Sequence, residues 1–188
     1  MSDSLSDQLK FLQEIIKLKD VKRSGWVIAG VDDPESVSDH LFSTAILSMV
    51  FAKKIGLDAD KCIKMAIMHD IGEVYTGDIA TRLHEEDQTV SNEEKKRLGD
   101  EATRRIISKL PEDSADEFLK LWEEYEERKT PEAILVKELD VLDYCVQLLE
   151  YKNKTDYDLT EFLRTADVKI KTPEIREVFE EIREKIME

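Results

Sequence analysis

Few of the residues that signal specialised chemistry are present. The chain of 188 residues holds three histidines, two cysteines, four prolines and six glycines. Cys62 and Cys145 lie far apart within apolar helical patterns and form no CxxC pair. They cannot build a disulfide framework, and they read as small core residues of a reducing compartment. No apolar run approaches the ~18 residues of a membrane span, and "MSDSLSDQLK" lacks the basic-then-apolar order of a secretory leader. A soluble, cytoplasmic protein with no membrane partner is the expectation. Positive charge is also scarce, with 28 basic against 43 acidic residues and a formal net charge of −15. Such a surface repels polyphosphate, which argues against a nucleic-acid polymer as partner. A small anionic substrate stays compatible if a metal or a local basic cluster reverses the field at one pocket.

What is present is helix. "LSDQLKFLQEIIKLKD" spaces Leu5, Leu9, Leu12 and Ile16 along one face, with Leu18 widening the stripe. An irregular segment, "VKRSGWVIAGVDDPE", follows. Ser36 and Asp39 form a capping box before "VSDHLFSTAILSMVFAKKI", which Gly56 closes. Asp58 caps "ADKCIKMAIMHD", where Cys62, Ile63, Ala66 and Ile67 make a stripe expected to be buried. Ser91 with Glu94 opens a charged helix that ends before Pro111. The segment from Ser114 to Arg128 is amphipathic through Phe118, Leu121, Trp122 and Tyr125. Thr130–Pro131 and Thr172–Pro173 each pair a cap with a proline at the first helical position. No strand alternation or internal repeat appears. One all-α domain over residues 1–188 is expected, its catalytic core spanning about 23–151 and the helices of 156–188 packing on it.

Two of the three histidines, His40 and His69, sit on strongly apolar helices, and Asp70 follows His69 directly. A buried carboxylate needs a partner, because desolvating an isolated charge is costly. The nearest basic residues on that helix, Lys61 and Lys64, lie well back along it. A divalent cation would satisfy several such groups at once. In the long helix "PEAILVKELDVLDYCVQLLEYK", Asp140 shares the face of Val136 and Leu139, an unfavourable place for Asp. Asp143, its i+3 neighbour, competes for the same role. Taken singly, a His on an apolar helix is usually a hydrogen-bonded core residue, and a mid-helix Asp usually pairs with a basic side chain. Two His and two Asp in this order point instead to one cation. Mixed imidazole and carboxylate ligands suit Mn, Fe, Co, Ni or Zn better than Ca.

The pieces "RSGW", "PESVSDH", "HDIGEVYTGDI", "LPEDSADEFLKLWEEYEE" and "VKELD" resemble the HD-domain metal-dependent phosphohydrolases, whose signature is H…HD…D. The resemblance is closest to the 5′-deoxynucleotidase branch and runs from about Arg23 to Tyr151. It implies a helical HD-domain bundle, one divalent metal on His40, His69, Asp70 and Asp140, and hydrolysis of 2′-deoxyribonucleoside 5′-monophosphates. It further implies Glu73 as general acid/base and Asp78 as a second catalytic acid near the leaving group and sugar. Arg23 would grip the phosphate, Lys22 would be a reserve contact, and Trp26 would pack against the deoxyribose. In bacterial members the Arg and Trp are adjacent, whereas Ser24 and Gly25 separate them here. Arg23 as a surface charge and Trp26 as a core anchor is the alternative. Two-metal relatives use further histidines. His84 alone remains, in the polar stretch "RLHEEDQ", and it reads as a solvated loop residue. Relatives imply a homodimer, and the aromatics of "FLKLWEEYEE" could face either a partner or the core. Action on another phosphate ester, or a non-catalytic nucleotide-sensing role with a structural metal, would use the same ligands.

Overall fold

A computed structural model describes residues 2–80 and 90–188, with side chains from residue 7 onward; His84 lies outside the described residues. Among these, ten α-helices follow one another: α1 (Ser2–Ile15), α2 (Ser24–Ile28), α3 (Val37–Ile55), α4 (Ala59–Met68) and α5 (Glu73–Thr76) in the first half. Then come α6 (Asn92–Ile107), α7 (Glu112–Glu127), α8 (Pro131–Tyr151), α9 (Thr160–Lys169) and α10 (Pro173–Met187). No strand occurs among the described residues, only an isolated antiparallel bridge between Lys22 and Ser36. The expected all-α class is what is found.

Four of the five N-terminal caps read from the sequence close through their side chains, Thr172 being the exception. The Ser36 hydroxyl accepts from the Asp39 amide while the Asp39 carboxylate accepts from the Ser36 amide, so each supplies the other's missing partner. Gly56 then ends α3 in the left-handed region, with φ 78°. Asp58 caps α4, Ser91 caps α6 and Thr130 caps α8 through their side chains. Thr172 makes no side-chain cap; its amide instead donates to Glu138 at 2.8 Å, tying the start of α10 to α8.

Helices α3 and α4 form a hairpin that packs with α8, and α10 closes the other side of α8. Met65, Ala66, Val136, Leu139, Leu142 and Phe179 make the centre of this core. Two expectations about faces need correction. The first helix ends at Ile15 and continues as a 3-10 turn over Ile16–Lys19. Leu9, Leu12 and Ile16 are exposed, whereas Phe11, Ile15 and Leu18 pack inward, because the face of α1 that meets Met68, Ile71, Ile106 and Ile107 is the one carrying Phe11 and Ile15. On α4, Ile67 is exposed and Met65 and Met68 are buried, because α3 and α8 cover a face one step round from the expected one. The irregular segment after α1 also contains a five-residue helix, α2, which is pinned when Tyr151 accepts from the Glu35 amide and Glu35 accepts from the Trp26 indole.

Between α4 and α5 the chain turns at Gly72 against α6. A Cβ there would meet the Thr103 backbone nitrogen at 3.0 Å and its hydroxyl closer still. Gly72→Ala is expected to destabilise the protein by about 1–3 kcal/mol through overpacking. Thermal melting should show a drop of about 2–4 °C per kcal/mol for a chain of this size. An unchanged midpoint would show that α6 yields freely.

Candidate active site

His40 stands one turn into α3, His69 caps the C-terminus of α4, and Asp140 lies midway along α8. Ligand atoms of these three residues lie within 4.8 Å of one another. His40 Nε2 is 3.2 Å from His69 Nε2 and 3.2 Å from Asp140 Oδ1. Asp70 stands beside the trio, its Oδ2 3.2 Å from His69 Nε2 and 3.9 Å from His40 Nε2. The splay of consecutive residues is resolved as the sequence suggested: α4 stops at Met68, so His69 and Asp70 turn toward one point from the helix end.

The other ring nitrogens determine what these atoms can do. His69 Nδ1 lies 2.7 Å from the Ala66 carbonyl, which can only accept, so Nδ1 carries a proton and Nε2 is the nitrogen that can offer a lone pair to an ion. His40 Nδ1 lies 2.7 Å from Asp143 Oδ2, which favours the same tautomer. Asp143 is thus the orienting partner of His40, which corrects its reading as a rival ligand. Two lone pairs and two carboxylates then face a common centre. Burial and Arg23 oppose charging His40, but hydrogen bonds to Asp140 and Asp143 prevail and raise it to about 9. Burial would also raise Asp70 and Asp140. His69 pulls Asp70 below the usual carboxylate range, while Lys137 and His40 pull Asp140 below it. Burial opposes each of these charges and the neighbours prevail: without an ion a proton on His40 meets the carboxylates' demand for positive charge, and the donor set fits a divalent cation of the transition series in its place.

The cluster opens on a cavity of about 550 Å³. Arg23, Glu73 and Asp78 line it together with His69, Asp70 and Asp140. Arg23 Nη1 lies 3.7 Å from Asp70 and 3.5 Å from Asp78, so it is neither a surface charge nor remote from the carboxylates of the cavity. Asp78 is fixed by the Ser24 amide at 2.7 Å. Glu73 opens the one-turn helix α5, and its Oε2 is buried without a hydrogen-bond partner. Burial, then the Asp70 and Asp78 charges, push its carboxyl well above the usual range.

Two expected contacts are placed differently. Lys22 does not line the cavity: its ammonium bonds Asp33 at 2.9 Å and the Pro34 carbonyl at 2.7 Å. Trp26 borders the cavity but is only 2% exposed, with Phe162 stacked at 4.8 Å and the Tyr151 ring edge-on at 5.0 Å. It is an anchor of the wall. Lys137 and Tyr125 at the cavity, and Tyr157, Glu161, Phe162 and Thr165 around α9, were not singled out from sequence. The C-terminal segment therefore builds part of the site as well as closing the bundle.

A helical bundle with this H…HD…D cluster defines a metal-dependent phosphohydrolase of the HD type. The chain belongs to the HD domain family, whose model matches residues 15–183. It is 38% identical over 183 residues to the 5′-deoxynucleotidase HDDC2 of Mus musculus, covering 96% of this chain and 89% of that protein. The Saccharomyces cerevisiae 5′-deoxynucleotidase YGK1 is 35% identical, over 90% of this chain and 78% of its own. A solved structure of a conserved hypothetical protein from Pyrococcus furiosus superposes with a TM-score of 0.71 at 33% identity, covering 94% of this chain and 99% of that one. The PH0347 protein of Pyrococcus horikoshii gives 0.73 at 28%, with the same coverage.

The raised Glu73 carboxyl has a measurable consequence in protein stripped of metal. Its ordinary value lies near about 4.3 in the unfolded chain. Because the folded value is higher, ionising Glu73 lowers stability as pH rises above that point. Glu73→Gln cannot ionise, so its melting temperature should match wild type near pH 4 and exceed it increasingly toward neutrality. Parallel pH profiles for the two proteins would mean that Glu73 is not desolvated in solution.

Proposed function

We infer that this protein is a metal-dependent phosphomonoesterase that hydrolyses 2′-deoxyribonucleoside 5′-monophosphates to deoxynucleoside and phosphate. What carries the reading is one juxtaposition: the His40–His69–Asp140 cluster opens onto the same cavity as Arg23, Glu73 and Asp78. We assign four ligands, His40, His69, Asp70 and Asp140, to a single ion, with Mn, Co, Fe, Ni or Zn as suitable occupants. When bound, such an ion supplies Lewis acidity at a phosphoryl oxygen and lowers the pKa of attacking water.

The chain's own groups do the rest. Arg23 presents a planar fork to two phosphate oxygens from the Asp70–Asp78 side. Glu73, among the described residues the one carboxylate at the cavity with a buried oxygen lacking a hydrogen-bond partner, takes the proton of the attacking water. Asp78, held by the Ser24 amide, is assigned as the second acid near the leaving group and sugar: the proton that Glu73 takes from water passes through it to the departing sugar oxygen, so none is gained or lost. The Trp26–Phe162 stack, with Tyr144 and Tyr157 against Phe162, forms an aromatic wall for the nucleoside, and the rigidity of that wall is what would exclude a 2′-hydroxyl. A deoxynucleotide, not a nucleic-acid polymer, fits a cavity of this size.

We further propose a homodimer. Trp122 and Tyr125 of α7 are buried in the core, so that helix offers no aromatic stripe to a partner. On α3, however, Phe42, Ile46, Met49 and Val50 are 43–69% exposed along one face. A second copy would cover such an apolar strip by helix-to-helix packing. No described helix is long and apolar enough to cross a membrane. With Cys62 and Cys145 both buried and free, a cytoplasmic location agrees with these features.

Metal-loaded protein should release orthophosphate from deoxynucleoside monophosphates, and Glu73→Ala should slow this by about 10²–10⁴-fold while retaining metal. A variant as active as wild type would remove Glu73 from the chemistry, and metal-loaded wild type that releases no phosphate would leave the metal a structural role only. Light scattering across a dilution series should give twice the chain mass, and Phe42→Asp combined with Ile46→Asp should give the monomer. A wild-type monomer at all concentrations would remove the dimer.

A further inference from the structure

Lys137 lies one turn before Asp140 on α8 and supplies no ligand atom to the metal cluster. Its Nζ donates to Asp140 Oδ2 at 2.7 Å and to the Tyr125 hydroxyl oxygen at 3.0 Å. An ammonium has three N–H donors, so one remains. The side chain keeps 28% of its surface exposed and lines the cavity, so that donor is available there. Neutralising Asp140 requires only the ion pair. Tyr125, a buried ring 5.3 Å from that of His69, adds a second fixed point that restricts where the ammonium can turn. Two anchors that hold a compact cation at the rim of a metal cluster leave its remaining donor aimed rather than mobile.

We propose that Lys137 is a phosphate-binding residue, donating to a non-bridging oxygen of the phosphoryl group seated at the metal cluster. Its approach is from the Asp140–Tyr125 side, as that of Arg23 is from the Asp70–Asp78 side. This rests on the phosphomonoesterase reading. Negative charge in phosphoryl transfer is spread over three equatorial oxygens, and two fixed cations on different sides of the group match that distribution better than one.

The test uses metal-loaded full-length protein, with inorganic orthophosphate as the probe in calorimetry. Lys137→Met should keep its fold and one equivalent of metal yet bind orthophosphate about 10–100-fold more weakly, the loss of one charge-assisted hydrogen bond. KM for the deoxynucleotide should rise alongside, and Lys137→Arg should recover part of the orthophosphate affinity. Unchanged orthophosphate affinity in Lys137→Met overturns the assignment. If Lys137→Met loses metal or fold, Tyr125→Phe decides the matter: it preserves the Asp140 ion pair and only frees the ammonium. Several-fold weaker orthophosphate binding with metal retained supports the role of Lys137, and unaltered binding overturns it. Wild-type protein that binds no orthophosphate also overturns it. Wild-type protein that binds orthophosphate but releases none from any deoxynucleotide defeats the proposed reaction, while the binding comparison still decides Lys137.

Discussion

Two imidazole lone pairs and two carboxylates turned on one point form an arrangement that a protein holds together only around positive charge. His40 Nε2 and His69 Nε2 approach to 3.2 Å with Asp140 Oδ1 at the same distance from His40. Asp143 and the Ala66 carbonyl claim the Nδ1 atoms of both rings, so the Nε2 atoms are the ones left to face a cation. The helices that carry these residues must therefore be held in register by forces strong enough to keep like groups together. The apolar contacts of α3, α4 and α8 around Met65, Leu139 and Leu142 supply them.

The chain's acidity acquires a local meaning in this setting. A net charge of −15 would discourage an anionic substrate, yet Arg23 and Lys137 both reach the cavity, each held by carboxylates that also serve the site. The basic partner that Asp70 lacks on its own helix comes from Arg23, far away in sequence. Lys61 and Lys64 are used elsewhere, pairing with Glu132 at 3.5 Å and Glu117 at 3.1 Å. The carboxylates of the cavity and these two cations thus stabilise each other before any ligand arrives, an economy suited to a preorganised electrostatic site.

Legibility of the site varied with the range of the interaction. The order His40, His69, Asp70, Asp140 could be read because each breaks an apolar helical pattern, and Glu73 and Asp78 because they follow within a recognisable motif. Asp143 was visible but its role was not: i+3 spacing places it near Asp140, and only the rotation of α8 about α3 decides which carboxylate meets Nε2 and which meets Nδ1 of His40. Lys137 was hidden because a lysine on a helix near an Asp ordinarily reads as a solvated pair. Trp26 could be sugar contact or anchor until Phe162, 136 residues later, was seen stacked upon it.

By itself the sequence determined where helices begin and end and which residue types could bind a cation. Caps, periodicity and propensity act within about one helical turn. The tertiary structure alone decided which atoms converge: the pairing of His40 with Asp143 spans 103 positions, and the cavity wall is completed by α9. Such meetings depend on how helix faces pack, and shifts of one step round a helix, as at Ile67 and along α1, are set by all the neighbours at once.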